Sequence, residues 1–428
     1  MNWNKIFHIK GYVRSSLWLV PFIAIPLELA ATRLLHRVDG WLGWTFLDLG
    51  VSGAQAMLNA IISAMLSFVV FTFGSLLVAL QIASGQMTPR IIATILVRDN
   101  VVRYTTGLFI FTLLFAISAI NRIQATVFQL VAFFAACLCV LCFGAFLFLI
   151  DHASRLLRPI SIVWLVGKAG LAVIEGTYPD PSLSVVEIGN FRNKLPAPDR
   201  IVPHRGTSEI IVATNLGDLI RLAEQSNGVI ELVPQVGDFI ATDEPLFRLY
   251  DGAISINERE LRSTVAFGRE RTLEQDPTFA FRIIVDIALK ALSPAINDPT
   301  TAVIAIDQLH RLLRSAGRRN LRTDELLGQS GQLRVVFRTP NWEDFVHLAC
   351  TEIRFCGASN IQIARRLRAM IENLIETLPK HRHAALQQEL SLLDRQLERC
   401  FVYPEDRALA RVGDSQGLGG ASGLGHLQ

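Results

Sequence analysis

Apolar residues run almost unbroken through four stretches of the first third of the chain, and shorter, punctuated patterns follow. The stretches cover residues 15–35, 54–84, 104–120 and 123–150. A hydrocarbon core about 30 Å thick takes roughly 20 apolar residues at about 1.5 Å each, so each stretch predicts a transmembrane helix. The last two are separated only by a few residues around Asn121 and Arg122, which predicts a hairpin. Residues 156–174 read as an amphipathic helix leaving the membrane along its inner surface, with Arg155, Arg158 and Lys168 on its polar side and Pro179 and Pro181 beyond its end. Between residues 209 and 250 the pattern changes to short β-branched runs and Gly turns, notably Pro234-Gln235-Val236-Gly237-Asp238. Leu, Ile and Val then recur at helical spacing over 278–292, 299–316, 342–355, 361–378 and 382–400, interrupted by a strand-like run at 333–337.

The pattern predicts an α-helical polytopic membrane protein with four transmembrane helices, followed by a cytosolic α+β domain with a small lipoyl-like β segment and a helical bundle. The expected divisions are a membrane domain at 1–154, an amphipathic helix and linker at 155–207, a β-rich module at 208–252, a helical domain at 253–410 and a Gly- and Ser-rich disordered tail at 411–428. Lipoyl-type modules carry their cofactor on a lysine. The chain has no Lys between Lys194 and Lys290, so a covalent carrier role is excluded for this segment and no cofactor is expected.

Composition sharpens the membrane reading. Hydrophobic residues make up 51% of the chain, above the soluble norm, while the net charge of +3 is too small and dispersed for a nucleic-acid face. Lys5, Lys10 and Arg14 precede the first stretch, Arg90, Arg98 and Arg103 separate the second from the third, and Arg155, Arg158 and Lys168 follow the fourth. By the positive-inside rule these segments face the cytoplasm, which places both termini on the inner side of a bacterial inner membrane. The six cysteines have no metal-ligand spacing and read as small apolar residues in a reducing compartment, and no metal site is expected.

Candidate chemistry is concentrated in three places. On the second stretch, Gln55, Asn59, Ser63, Ser67 and Gln81 fall on one face together with Ser52, Gly74, Ser84 and Gly85. Such a stripe either packs against another helix or lines a water-filled path. The second place is the expected junction between membrane and cytosol: Gln86, Thr88, Pro89, Arg90, Arg98 and Asp99, with Arg90 needing acceptors that Asp99, Asp286 or Asp298 could supply. The third is Asp286, Ser293, Asn297, Asp298, Thr300 and Thr301, which read either as a helix-turn-helix with Asp298 as N-cap or as a ligand or subunit contact. Glu28, the one acid well inside an apolar stretch, reads as an interfacial carboxylate near the outer end of its helix, paired with Arg33 or Arg122.

The runs QIASGQMTPR with VRDN, RERTLEQDPTFAFRIIVDIALKALSPAINDPTTA and VPQVGDFIATDEPLF resemble the bacterial predicted-membrane-protein family called domain of unknown function 2254. The resemblance covers the chain to about Asp406. It implies a four-helix membrane part with a cytosolic domain and brings no established activity or catalytic residue.

Enzyme chemistry finds no support, since the chain has no phosphate-cradling glycine loop, no HExxH and no nucleophile elbow. His381 and His383 flank Arg382 and read as surface residues. Two functions are expected to compete. One is a homo-oligomeric channel or transporter for an ion or small solute, with the second helix lining the path and the cytosolic domain regulating it. The other is a membrane-anchored sensor or scaffold whose cytosolic domain binds a partner. An anchor has no need of the polar stripe.

Overall fold

The computed structural model describes residues 3–16, 18–42, 49–86, 99–123, 127–156, 158–179, 195–321 and 324–420. The chain divides into two compact units, residues 10–162 and residues 1–9 with 163–428.

After a short amphipathic α1 (Trp3–Ser15), the smaller unit is built from α2 (Leu19–Leu42), α3 (Val51–Gln86), α4 (Asn100–Ile120) and α5 (Gln129–Leu156). α4 is the central helix, packed against α2, α3 and α5. Its buried Phe109, Phe115 and Ala116 meet Leu58, Ile61 and Met65 of α3 and Val131, Ala135 and Cys142 of α5. Gly107 permits the close approach of α2, because a Cβ there would lie 2.5 Å from Val20 Cγ1. Phe68 and Phe146 stack at 4.3 Å, and the Gln129 side chain clasps both backbone groups of Leu49, tying the start of α5 to the start of α3.

Among the described residues five helices are long and apolar enough to cross a bilayer: Leu19–Asp39, Val51–Val78, Asn100–Ile120, Gln129–Arg155 and Ile160–Thr177. The fifth lies in α6 (Pro159–Thr177), the helix expected to be amphipathic. The reason for the difference is that its polar residues are few, whereas Val163, Val166 and Ile174 are buried and Trp164 and Leu165 are exposed. The first span also lies further along the chain than the expected 15–35, because the helix continues through Pro26 to Leu42.

In the larger unit, β1 (Arg200–Pro203), β5 (Pro245–Asp251), β3 (Gly228–Leu232), β8 (Leu333–Val336) and β7 (Glu325–Leu327) form a mixed five-stranded sheet in that order, with β3 and β8 parallel. A second sheet is ordered β4 (Phe239–Ile240), β2 (Glu209–Thr214), β6 (Val265–Gly268). Both contribute to one core containing Val202, Ile211, Ile230, Phe247, Val265 and Val335, closed on one side by α7 (Leu216–Ser226) through Leu219 and Leu222. The segment 208–252 is therefore not a free-standing β module. A helix interrupts it, and strands from residues 325–336 complete its sheet. The Pro234–Asp238 turn forms as the spacing predicts: Gly237 adopts φ +95°, and Asp238 Oδ2 accepts from the Gln235 amide at 2.9 Å.

Following a short α8 (Glu258–Ser263), five helices form the second layer: α9 (Pro277–Ala291), α10 (Pro299–Gly317), α11 (Trp342–Gly357), α12 (Ile361–Thr377) and α13 (His383–Cys400). The first four of them begin at side-chain caps, Asp276, Asp298, Asn341 and Asn360. α6 packs along α9 and α10: a Cβ at Gly170 would come within 2.7 Å of Ala280, and Gly167 sits against Gln308. α14 (Pro404–Ala410) precedes residues 412–420, which composition predicts to be disordered. They are held instead by the fully buried Arg365, which donates to the Val412 and Gly419 carbonyls, while Asp414 accepts backbone N–H groups of Gln416, Gly417 and Gly419. A buried guanidinium that needs acceptors supplies the order that the Gly-rich composition lacks.

Candidate functional site

The polar stripe of α3 does not face the core of its own unit. Ser52, Gln55, Asn59, Ser63, Ser67, Gly74 and Gln81 are all exposed, and the buried face is formed by Ala54, Leu58, Ile61, Met65 and Thr72. Over residues 52–67 the outward arc is small or polar almost throughout, with Gly53, Ala56 and Ala60 between the polar positions. At about 1.5 Å per residue that is roughly 24 Å of helix. Leu66 is the bulky exception within it, and beyond it the outward side chains become bulky, with Val70, Phe71, Phe73 and Leu77 exposed. Ser67 Oγ donates to the Ser63 carbonyl at 2.9 Å, so that hydroxyl is satisfied within its own helix.

A second polar stripe, on α2, is buried. Glu28 is 4% exposed, Thr32 0% and Asp39 6%, and with His36 they follow one another every three or four residues. Thr32 Oγ1 donates to Glu28 Oε1 at 2.7 Å, and His36 Nδ1 donates to the Thr32 carbonyl at 2.7 Å. The His36 ring packs on Phe128, and Asp39 Oδ1 accepts from the Leu130 amide at the start of α5. His36 Nε2 and Asp39 Oδ2 are buried with no hydrogen-bond partner among the described residues. Glu28 therefore differs from its expected setting in two ways. It lies near the middle of the Leu19–Asp39 span rather than at an end, and its partner is Thr32 rather than Arg33 or Arg122. Sequence reasoning missed the stripe because His36 and Asp39 lie beyond the expected end of the span at residue 35, although all four residues recur at helical spacing.

The expected junction residues Thr88, Pro89, Arg90 and Arg98, and the side chain of Gln86, lie outside the described residues. Asp99 caps α4: its Oδ1 accepts from the Val101 and Val102 amides at 2.7 and 3.2 Å, and its Oδ2 meets His152 Nε2 at 2.8 Å.

The third group is divided by the structure into separate jobs. Asp298 accepts from Thr301 N at 3.1 Å and from the Thr301 hydroxyl, Ser293 Oγ donates to the Lys290 carbonyl, and Asn297 supplies the left-handed residue (φ 48°) that reverses the chain. Thr300 is exposed. Asp286 lies on α9 and joins Arg282, which also binds Glu352 of α11 at 2.7 Å. The Arg282 hydrogen bond holds the Glu352 carboxyl below the usual carboxylate range, and the two acids hold Arg282 firmly protonated. Helix ends and an interhelical ion network account for these residues, and they do not converge on one cavity. Among the described residues no cluster of His, Cys, Asp and Glu could hold a metal.

Long apolar helices followed by a mixed α/β region, with polar groups set into the apolar helices, define a polytopic membrane protein. More particularly, the chain belongs to the predicted membrane protein family called domain of unknown function 2254, whose model matches residues 14–373. Similar proteins from Mycobacterium bovis and Mycobacterium tuberculosis, both described as uncharacterized, are 25% identical over 432 residues spanning 95% of this chain and 81% of theirs. No solved structure matches.

Proposed function

We propose that the chain is the protomer of a homo-oligomeric channel or transporter for an ion or small solute in the bacterial inner membrane. In this reading α2 to α5 span the bilayer, both termini are cytoplasmic, α3 lines the path and the larger unit regulates it. The observation that carries it is the outward stripe of α3. Lipid offers Gln55, Asn59 and Ser63 no hydrogen-bond partner, so a second copy, or the water it encloses with the first, must cover them. Repeating that contact by rotation brings the stripes of several protomers around one axis. The buried carboxylate of Glu28 near mid-span favours a cation as the solute. α6 is assigned to the larger unit rather than to a fifth span. Its Gly167 and Gly170 face Gln308 of α10 and Ala280 of α9, and the guanidinium of Arg311 on α10 lies 5.2 Å from the Trp164 ring, so insertion would carry charged helices into the hydrocarbon.

The test places single cysteines at positions 59, 63 and 67 in a background without native cysteines, in intact membranes. The reading expects disulfide-linked dimers, modification by a small water-soluble thiol reagent, and cation flux in proteoliposomes that Asn59→Leu abolishes. Cross-linking without modification or flux would leave the anchor-and-scaffold reading.

A further inference from the structure

The outer face of α10 carries a basic pocket that the proposed transport path does not use. Arg311, Arg314 and Arg318 follow at i, i+3 and i+7, opposite the buried Leu309, Leu312, Leu313 and Ala316. With Arg319, Ser315 and Leu171 of α6 they line a cavity of about 470 Å³. Arg319 is the partly engaged member: Nη1 donates to the Tyr178 carbonyl at 2.7 Å, and Nη2 lies 3.6 Å from the exposed Glu175 carboxylate. Among the described residues Arg311, Arg314 and Arg318 are exposed and form no ion pair, so their guanidinium groups are open to an anion. Exposed cations that line one pocket set up a positive field there, which an anion bound among them neutralises. Guanidinium groups are matched in geometry to phosphate oxygens.

The wall opposite the arginines is apolar. Leu171 borders the cavity, and further along the same helix Trp164 is 52% exposed with Arg311 over its ring. α6 is as hydrophobic as a membrane span, yet only one of its faces is packed, with Trp164 and Leu165 on the open side. Trp and Arg beside an open apolar surface are the arrangement expected at a membrane–water interface. A soluble phosphate compound would use the arginines and leave the apolar wall unused. An amphipathic anion uses both.

We propose that this pocket binds the phosphate headgroup of an anionic glycerophospholipid, with Arg311, Arg314 and Arg318 holding the phosphate oxygens and the acyl chains running past Leu171 toward Trp164. The site does not depend on the transport reading, since an anchored scaffold could carry it equally well. Purified full-length protein in detergent, titrated with phosphatidylglycerol, phosphatidylcholine or inorganic phosphate, should retain phosphatidylglycerol preferentially in native mass spectra. Arg311→Gln, Arg314→Gln and Arg318→Gln should each lower that retention about five-fold, the amount one interfacial cation contributes. All three positions are exposed, so folding should survive, and Arg395→Gln on the exposed side of α13 should change nothing. Retention of phosphatidylglycerol unchanged by the three substitutions would overturn the proposal. So would equal retention of phosphatidylcholine, or displacement of the lipid by inorganic phosphate, which would mark a site for a soluble anion.

Discussion

The two polar stripes of the smaller unit have similar composition and opposite surroundings. On α2, Glu28 and Thr32 are buried within the chain and bonded to each other. On α3, Gln55, Asn59, Ser63 and Ser67 look outward. The glycines follow the same division: Gly107 sits tightly against Val20, whereas nothing lies within 4 Å of a Cβ added at Gly74. A stripe closed within the chain contributes to the stability of the protomer. One left open contributes only when a second molecule arrives, so its effects should appear in assembly and be missing from folding.

Cross-linking should separate the stripes most sharply. In a background without native cysteines, Asn59→Cys and Ser63→Cys should give oxidised dimers on gels while Thr32→Cys gives none; dimers from Thr32→Cys would mean that α2 is not closed. Gly107→Val should destabilise the isolated protomer in detergent by about 1–3 kcal/mol through overpacking, and Gly74→Val by less than about 0.5 kcal/mol. Equal shifts in thermal unfolding would abolish the distinction. Thr32→Val keeps the shape but leaves Glu28 Oε1 without its donor, a loss of about 1–2 kcal/mol measurable in the same assay. Ser67→Ala removes a hydroxyl bonded only to its own helix and should stay within about 0.5 kcal/mol.

The smallest effect is expected in the larger unit, where Arg282, Asp286 and Glu352 form a polar group closed within the chain, like that of α2 but half-exposed. Because Arg282 lowers the folded-state value of Glu352, the stabilisation is fully present above the ordinary carboxylate range and is lost as pH falls through the lowered folded value. The stability difference between wild type and Glu352→Gln should therefore shrink on acidification. A difference that grew with acid would show that the carboxylate is not held by Arg282.

Much of the fold was legible. The helices of the second layer lie close to the ranges that periodicity predicts, and Asp298-Pro299 marks a helix start by local chemistry alone. The β region was less so, since β8 reaches β3 from about a hundred residues away, and pairing over that distance leaves no mark in local pattern. In the candidate site the α3 stripe was visible as a stripe, and Glu28 as the one acid well inside an apolar stretch, though it was read as interfacial. The ladder to Thr32, His36 and Asp39 was not, because it depended on where the helix ends. The order of residues 412–420 was also hidden, as it comes from Arg365 on another helix.

Composition and spacing by themselves determined that apolar helices precede a mixed region, that α3 carries a polar face, and that the β segment lacks an attachment lysine, because these properties belong to single elements and their residues. Only the tertiary structure decided which polar face is turned inward and which outward. A stripe reads the same whichever neighbour covers it, and the choice between burial within the unit and outward exposure is made by the packing of α2 and α3 around α4.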